Sequence, residues 1–308
     1  MALFKLSSKT RIVILAVLTL CLLASVALVI SNKLYPRALF SFQQWKNTDK
    51  WSKKSLWLPD YRVTIEAKPI EGVGENVSAL TWNPDRNTLF SVVNNPPLVL
   101  ELSTEGEIIR NIPLVGVKDP EAIEYIGDNK YIIADERKQK LLKITITDDT
   151  QSIDATRSPQ ITVGTGIRGN QGLEGLAWDH KNKRIFVAKE KNPVRIYEVV
   201  GFPQLPNTPL NVETGVDKLR DKHLFLKDIS SLDYSSEYEH LLVLSDESKL
   251  IIELDENGEP ISTLSLTVGK HGLKKSIQQA EGMAVGDAET LYLVSEPNLF
   301  YVFKKIEE

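Results

Sequence analysis

Five times between residue 78 and the C-terminus the chain repeats one pattern. Each unit has a short acidic or polar start, an apolar strand, a polar turn, and a second apolar strand ending on a polar residue. Repetition of this kind constrains a fold more than any single motif, because each unit must bury its apolar face against its neighbours. The paired segments are 78–82 with 89–94, 121–125 with 131–136, 174–178 with 185–190, 230–234 with 241–246, and 281–285 with 291–296. The starts at Ser78, Glu121, Glu174, Ser230 and Glu281 are 43, 53, 56 and 51 residues apart. That is the length of a four-stranded propeller blade. A third strand follows in every unit, at 98–102, 141–146, 194–199, 250–254 and 299–303. A fourth is clearest after Glu105-Gly106 (108–114) and after Asn257-Gly258 (261–266), both hairpin-turn sequences.

The fifth unit ends without a fourth strand, while an alternating β-branched segment at 61–66 stands before the first unit with no partner. Moving it round to complete the last blade closes the ring and removes a vulnerable edge. The fold expected is all-β, a five-bladed β-propeller over 61–308 with its last blade closed by the N-terminal strand. A β-sandwich explains neither the phase of the repeats nor the orphan strand.

Ahead of this domain, residues 12–30 form an apolar run interrupted only by Thr19 and Ser25. At about 1.5 Å per residue it spans roughly 28 Å, close to the hydrocarbon thickness of a bilayer. Lys5, Lys9 and Arg11 precede it, so the positive-inside rule keeps 1–11 cytoplasmic and sends the rest outward. The expectation is a single-pass inner-membrane protein with a periplasmic C-terminal domain. A cleaved signal with a small-x-small site at Ser25-Val26-Ala27 is the competing reading, but the run is long for an h-region. Residues 31–60, with Trp45, Trp51, Trp57 and several lysines but no clear period, read as an interfacial linker. The single cysteine, Cys21, excludes an intramolecular disulfide framework and a thiolate cluster. Residues 1–60 carry nine Lys/Arg against two Asp/Glu, whereas 61–308 carry 28 against 39. So acidic a domain is unsuited to nucleic acid, which needs basic surface, and suited to cations.

Three segments carry a family resemblance: Ser-Ala-Leu-Thr-Trp-Asn-Pro at 78–84, Lys-Asp-Pro-Glu-Ala-Ile-Glu-Tyr at 118–125, and Gln-Gly-Leu-Glu-Gly-Leu-Ala-Trp at 171–178. Over about 70–308 the chain resembles the SdiA-regulated (YjiK-type) family, in which the N-terminal anchor also occurs. The resemblance implies an NHL-repeat-like five-bladed propeller with a calcium site and no established enzymatic reaction. It does not imply a five-fold acidic ring here, because the units at 78 and 230 open with serine.

Independently of the resemblance, the repeats place carboxylates together. Hairpin partners are symmetric about their turn, so Glu121 is expected to face Glu136, Glu174 to face Glu190 and Glu281 to face Glu296. Ser230 is likewise set opposite Asp246, and Ser78 opposite Asn94. Two carboxylates 4–5 Å apart repel by roughly 1 kcal/mol in water and about 4 kcal/mol at an effective dielectric of 20. Innermost strands line a propeller's channel, so these oxygens should converge at one mouth. Protonation, a neutralising Lys/Arg or a bound cation would relieve them. Lys189 and Arg137 are near in sequence but belong to strand positions pointing the other way. The preferred relief is a cation held by Glu121, Glu174 and Glu281, with Glu136, Glu190, Asp246, Glu296 and Asn94 in support. Oxygen-only donors select a hard ion, Ca²⁺ before Mg²⁺. A purely structural alternative has each glutamate accept backbone N–H bonds from the next blade.

Other motifs carry less. Gly164-x-Gly166-x-x-Gly169 leads into a strand rather than a helix, so it reads as an inter-blade loop. Asp255-Glu-Asn-Gly258 reads as a hairpin turn, and His223 or His271 as remote general-base candidates. The leading functional reading is a binding module, a tethered calcium-holding propeller presenting one face to a small-molecule or protein ligand. The rival is a calcium-dependent lactonase-like hydrolase, with Asp246, Glu190 and Asn94 as candidates for chemistry. Such enzymes usually have six blades. A metal-free docking propeller is the third reading.

Overall fold

The innermost strands of five antiparallel sheets neighbour one another in a closed ring, and this ring organises everything else. The computed structural model describes residues 7–31, 33–164, 172–204, 211–286 and 290–306. Blade I comprises Val77–Asn83, Thr88–Asn94, Pro97–Leu102 and Ile108–Val115, with a short parallel strand Ile153–Asp154 added at its outer edge. Blade II comprises Pro120–Gly127, Lys130–Asp135, Lys140–Thr145 and Gln160–Thr162. Blade III comprises Leu173–Asp179, Arg184–Lys189, Arg195–Val200 and Glu213–Val216. Blade IV comprises Ser231–Ser235, His240–Ser245, Leu250–Leu254 and Pro260–Ser265. In blade V, Ala280–Val285, Thr290–Ser295 and Leu299–Lys305 are completed by Tyr61–Pro69, which pairs antiparallel with the last strand from Tyr61↔Lys305 to Pro69↔Leu299. The five-bladed propeller closed by its N-terminal strand is therefore the observed fold.

Near-continuous apolar strands bury both faces, as packing between two neighbouring blades requires. One core runs through blades I to III around Phe90, Tyr131, Ile133, Val187 and Val199. A second joins blades IV and V, and a third joins blades V and I.

Ahead of the propeller, Ser8–Ser31 is a 24-residue helix, and its stretch Ser8–Ile30 is long and apolar enough to cross a membrane or serve as a signal sequence. Within the segment read as a linker, Leu34–Lys46 and Thr48–Trp51 are helical. The propeller's own first strand begins at Tyr61, and the compact unit that contains it starts at Asn47. Leu56, Trp57 and Leu58 are buried, at 1%, 3% and 0% exposure. The backbone N–H of Leu56 and of Trp57 donate to the two Glu253 carboxylate oxygens (2.9 and 3.3 Å), and Leu58 N–H donates to Ser262 Oγ (3.0 Å). These bonds latch the entering chain onto blade IV. They depend on single side chains, which is why no periodicity announced them. Gly164 is described, but the rest of the Gly164–Gly169 motif lies outside the described residues, as do positions 287–289 in the last inner hairpin.

Candidate metal centre

The starts of the five inner strands form one mouth of the channel. There a cavity of about 360 Å³ is lined by all eight residues singled out in the sequence: Glu121, Glu174, Glu281, Glu136, Glu190, Asp246, Glu296 and Asn94. Their convergence is thus a property of the structure, but the pairing that brings them together differs from the expected one. Glu121, Glu174 and Glu281 each sit at a β-bulge, where the register slips between Pro120 and Ala122, Leu173 and Gly175, and Ala280 and Gly282. A bulge adds a residue to one strand only and re-aims its side chain. The acid ending the second strand therefore faces the residue two positions earlier. Glu136 N–H donates to the Asp119 carbonyl (2.9 Å), Glu190 N–H to Gly172 (3.2 Å) and Glu296 N–H to Gln279 (2.9 Å). In blade IV, Ser230 N–H donates to the carbonyl of Leu244, not to a residue beside Asp246. In blade I, Ser78 pairs with Val92 rather than Asn94.

Glycine after the glutamate has its own cause. A Cβ on Gly175 would lie 2.8 Å from Leu232 N in blade IV, and one on Gly282 would lie 2.4 Å from the Ala79 carbonyl carbon in blade I. The Glu-Gly start is thus where adjacent inner strands approach most closely.

The rim is held by partners. Lys191 Nζ meets Glu190 (2.5 Å) and Glu247 (3.3 Å), and Lys249 Nζ meets Asp246 (2.6 Å). Arg137, expected to point away, reaches Asp119 at 3.3 Å. Lys189 is buried and donates to the Asn192 carbonyl (2.7 Å), so it neutralises none of these acids. Glu136 accepts from Gly172 N–H (2.9 Å) and Asp246 from Ala280 N–H (2.9 Å). Backbone acceptance from the next blade is therefore the role of these outer acids. Glu121 instead accepts from Asn94 Nδ2 (2.9 Å) and from Ser78, the two neutral positions of blade I. Ser230 donates to the Ala280 carbonyl (2.7 Å) and joins blade IV to blade V. Among the described residues, no backbone N–H and no basic side chain within ion-pair distance serves Glu174 or Glu281.

The consequence is electrostatic. Burial, then the charges of Glu136 and Asp119, push Glu121 up to about 7 against the downward pull of Asn94 and Ser78. Burial, then Glu296 and Asp246, push Glu281 up to about 8. Glu174 is raised well above the carboxylate range by burial and by Glu121, Glu136, Glu281 and Glu190. Glu136 and Glu296 are raised as well, chiefly by burial. The donors offered here are carboxylate, amide and hydroxyl oxygens, which match a hard divalent cation and not a soft one. The tightest trio lies to one side of the ring, in blade II: single oxygens of Asp119, Glu121 and Glu136 lie within 4.8 Å of one another.

Asp119, Asp228, Glu247 and Gln279 belong to this mouth and were missed in the sequence. Asp119, Asp228 and Gln279 each stand two residues before the unit's start, so aligning the repeats two positions further upstream would have found them. His223 pairs with Glu259 (2.9 Å) and His271 with the Tyr61 carbonyl (2.9 Å), and neither lines the mouth.

Among solved structures the chain is similar to a luciferin-regenerating enzyme, at 12% identity over 78% of this chain and 95% of that one, with a TM-score of 0.48. It is also similar to a chain of a nidogen/laminin complex, at 11% identity over 72% and 73%, TM-score 0.47. A third likeness is to a catalytically inactive virginiamycin B lyase from Staphylococcus aureus, at 13% identity over 75% and 66%, TM-score 0.41. The sequence profile of one family matches residues 53–304, the whole propeller from its docked entry segment to the last strand. The chain belongs to the SdiA-regulated family.

Proposed function

We propose that this protein is a membrane-tethered, extracytoplasmic propeller that holds a calcium ion at the acidic mouth of its channel and presents that face to a ligand or partner. The observation that carries this reading is the inner trio. Glu121, Glu174 and Glu281 converge while the available lysines are spent on the rim acids. A divalent cation supplies the missing counter-charge with Asn94 and the outer acids as further oxygens. Lys9 and Arg11 before the apolar helix support a cytoplasmic N-terminus and a propeller on the outer side of the inner membrane. For the hydrolase reading, a general base must be free to take a proton. Asp246 and Glu190 are each ion-paired with a lysine and Asn94 donates to Glu121, so the geometry supports binding better than catalysis. Calorimetric titration of the metal-stripped, detergent-solubilised chain with CaCl₂ tests the proposal. The expected result is saturable binding near one ion per chain that weakens at least tenfold in Glu174→Gln. Absence of saturable binding overturns it.

A further inference from the structure

An exposed apolar surface outside the candidate span lies on the helix Leu34–Lys46. At 100° per residue, Leu34, Ala38, Phe42 and Trp45 fall on one stripe, with Tyr35 and Leu39 along its edge. A helix serving a water-soluble fold turns such a stripe onto protein. Here it points outward: Tyr35, Phe42 and Trp45 are 70%, 58% and 73% exposed, and Leu34 and Leu39 46% each. The covered side is the other one, where Phe40 is buried and Arg37 and Gln44 are half-buried. The helix touches Ser8–Ser31 and belongs with it to the compact unit that ends at Lys46, not to the propeller's unit.

Two further observations indicate what covers the stripe. The first is position. At about 1.5 Å per residue the 23 residues Ser8–Ile30 cover roughly 34 Å, the full hydrocarbon thickness of a bilayer, so Leu34 stands at the membrane's face. Lys33, in the left-handed conformation (φ 51°), turns the chain just before the helix begins. The second is residue type. No acid precedes Asp49, while Lys33, Arg37 and Lys46 flank the stripe, and basic flanks around Trp, Phe and Leu suit anionic headgroups above acyl chains. Tryptophan and tyrosine favour that boundary because each joins an apolar ring to a polar tip. We infer that Leu34–Lys46 is a second membrane contact, lying in the plane of the outer leaflet with Leu34, Leu39, Phe42 and Trp45 sunk into the boundary between headgroups and acyl chains. The inference rests on the membrane tether proposed above and is independent of calcium.

Tryptophan quenching of the full chain, reconstituted in vesicles of phosphatidylcholine and phosphatidylglycerol, tests it. The emission of Trp45 is read as the difference between wild type and Trp45→Phe. Lipids brominated high on the acyl chain should quench that emission, and aqueous iodide should not. Leu39→Glu combined with Phe42→Glu, both at exposed positions, should abolish the bromolipid quenching while the chain still floats with the vesicles on its span. A wild type that does not float contradicts the tether itself, and this inference with it. In chains that float, three results overturn the inference and leave the tether standing. These are iodide quenching of Trp45, bromolipid quenching undiminished in the double variant, and a Trp45 that neither quencher reaches, as when a second copy covers the stripe.

Discussion

Glu174 stands among four other glutamates, and its protonation makes the acidic mouth sensitive to pH. Its folded-state proton, like those of Glu121 and Glu281, is held more tightly than in the unfolded chain, whose glutamates titrate near 4.5. More protons bound in the folded state means that stability falls as pH rises. The contribution is fully present below about 4.5, and is lost as pH climbs through about 7 for Glu121 and about 8 for Glu281. The metal-free protein should therefore melt at progressively lower temperature from pH 5 to pH 8, and saturating calcium should flatten that decline. A pH series of melting curves in chelator checks this; a metal-free profile that rises over the same range would contradict it. The roles of individual acids were only half legible in the sequence. The repeats located all seven acids and Asn94, but which acid a lysine would take depended on Lys191 and Lys249, two positions outside the repeated pattern.

At the scale of the element, the inner-strand bulge decides what faces what. Symmetry about a turn placed each glutamate opposite another acid, and each bulge, with the hairpin centre shifted slightly, displaced that pairing by up to two residues. A bulge has no compositional mark other than the glycine that follows in blades III and V. Gly282 marks it because the Ala79 backbone leaves no room for a Cβ. Gly282→Ala should destabilise the domain by about 1–3 kcal/mol through overpacking, a fall of roughly 2–4 °C per kcal/mol in a melting experiment. Ala79→Gly alone would leave the Cβ facing backbone and should not rescue it. The fourth strands of blades II and III, Gln160–Thr162 and Glu213–Val216, are three and four residues long and mostly exposed. Strands so short carry no readable alternation, which is why only two fourth strands were evident in the sequence.

Across the whole molecule, closure was the most legible feature, since an alternating segment without a partner and a blade lacking a strand require each other. Tyr61 is 1% exposed and Phe303 is fully buried in the same core. Deleting 61–69 should unfold or oligomerise the protein by opening blade V along the whole edge of Leu299–Lys305. A shortened chain that remains monomeric with an unchanged melting temperature, by light scattering and calorimetry, would contradict the closure. The docked segment 56–58 was not legible, because its hold on blade IV comes from Glu253 and Ser262, far away in sequence. Only the closed ring brings Glu121, Glu174 and Glu281 together, so calcium should bind the folded state alone and stabilise it by mass action, by about 2.7 kcal/mol at a hundred times Kd. The most direct measurement is a set of melting curves at pH 8 for the wild type and Glu174→Gln, each in chelator and in calcium. The account predicts a calcium-dependent rise in the wild type and a smaller one in the variant. In chelator the variant should melt above the wild type by about 2–4 °C, for roughly 1 kcal/mol of repulsion removed. A wild type that melts identically with and without calcium, beside a variant less stable than it, would contradict the calcium site.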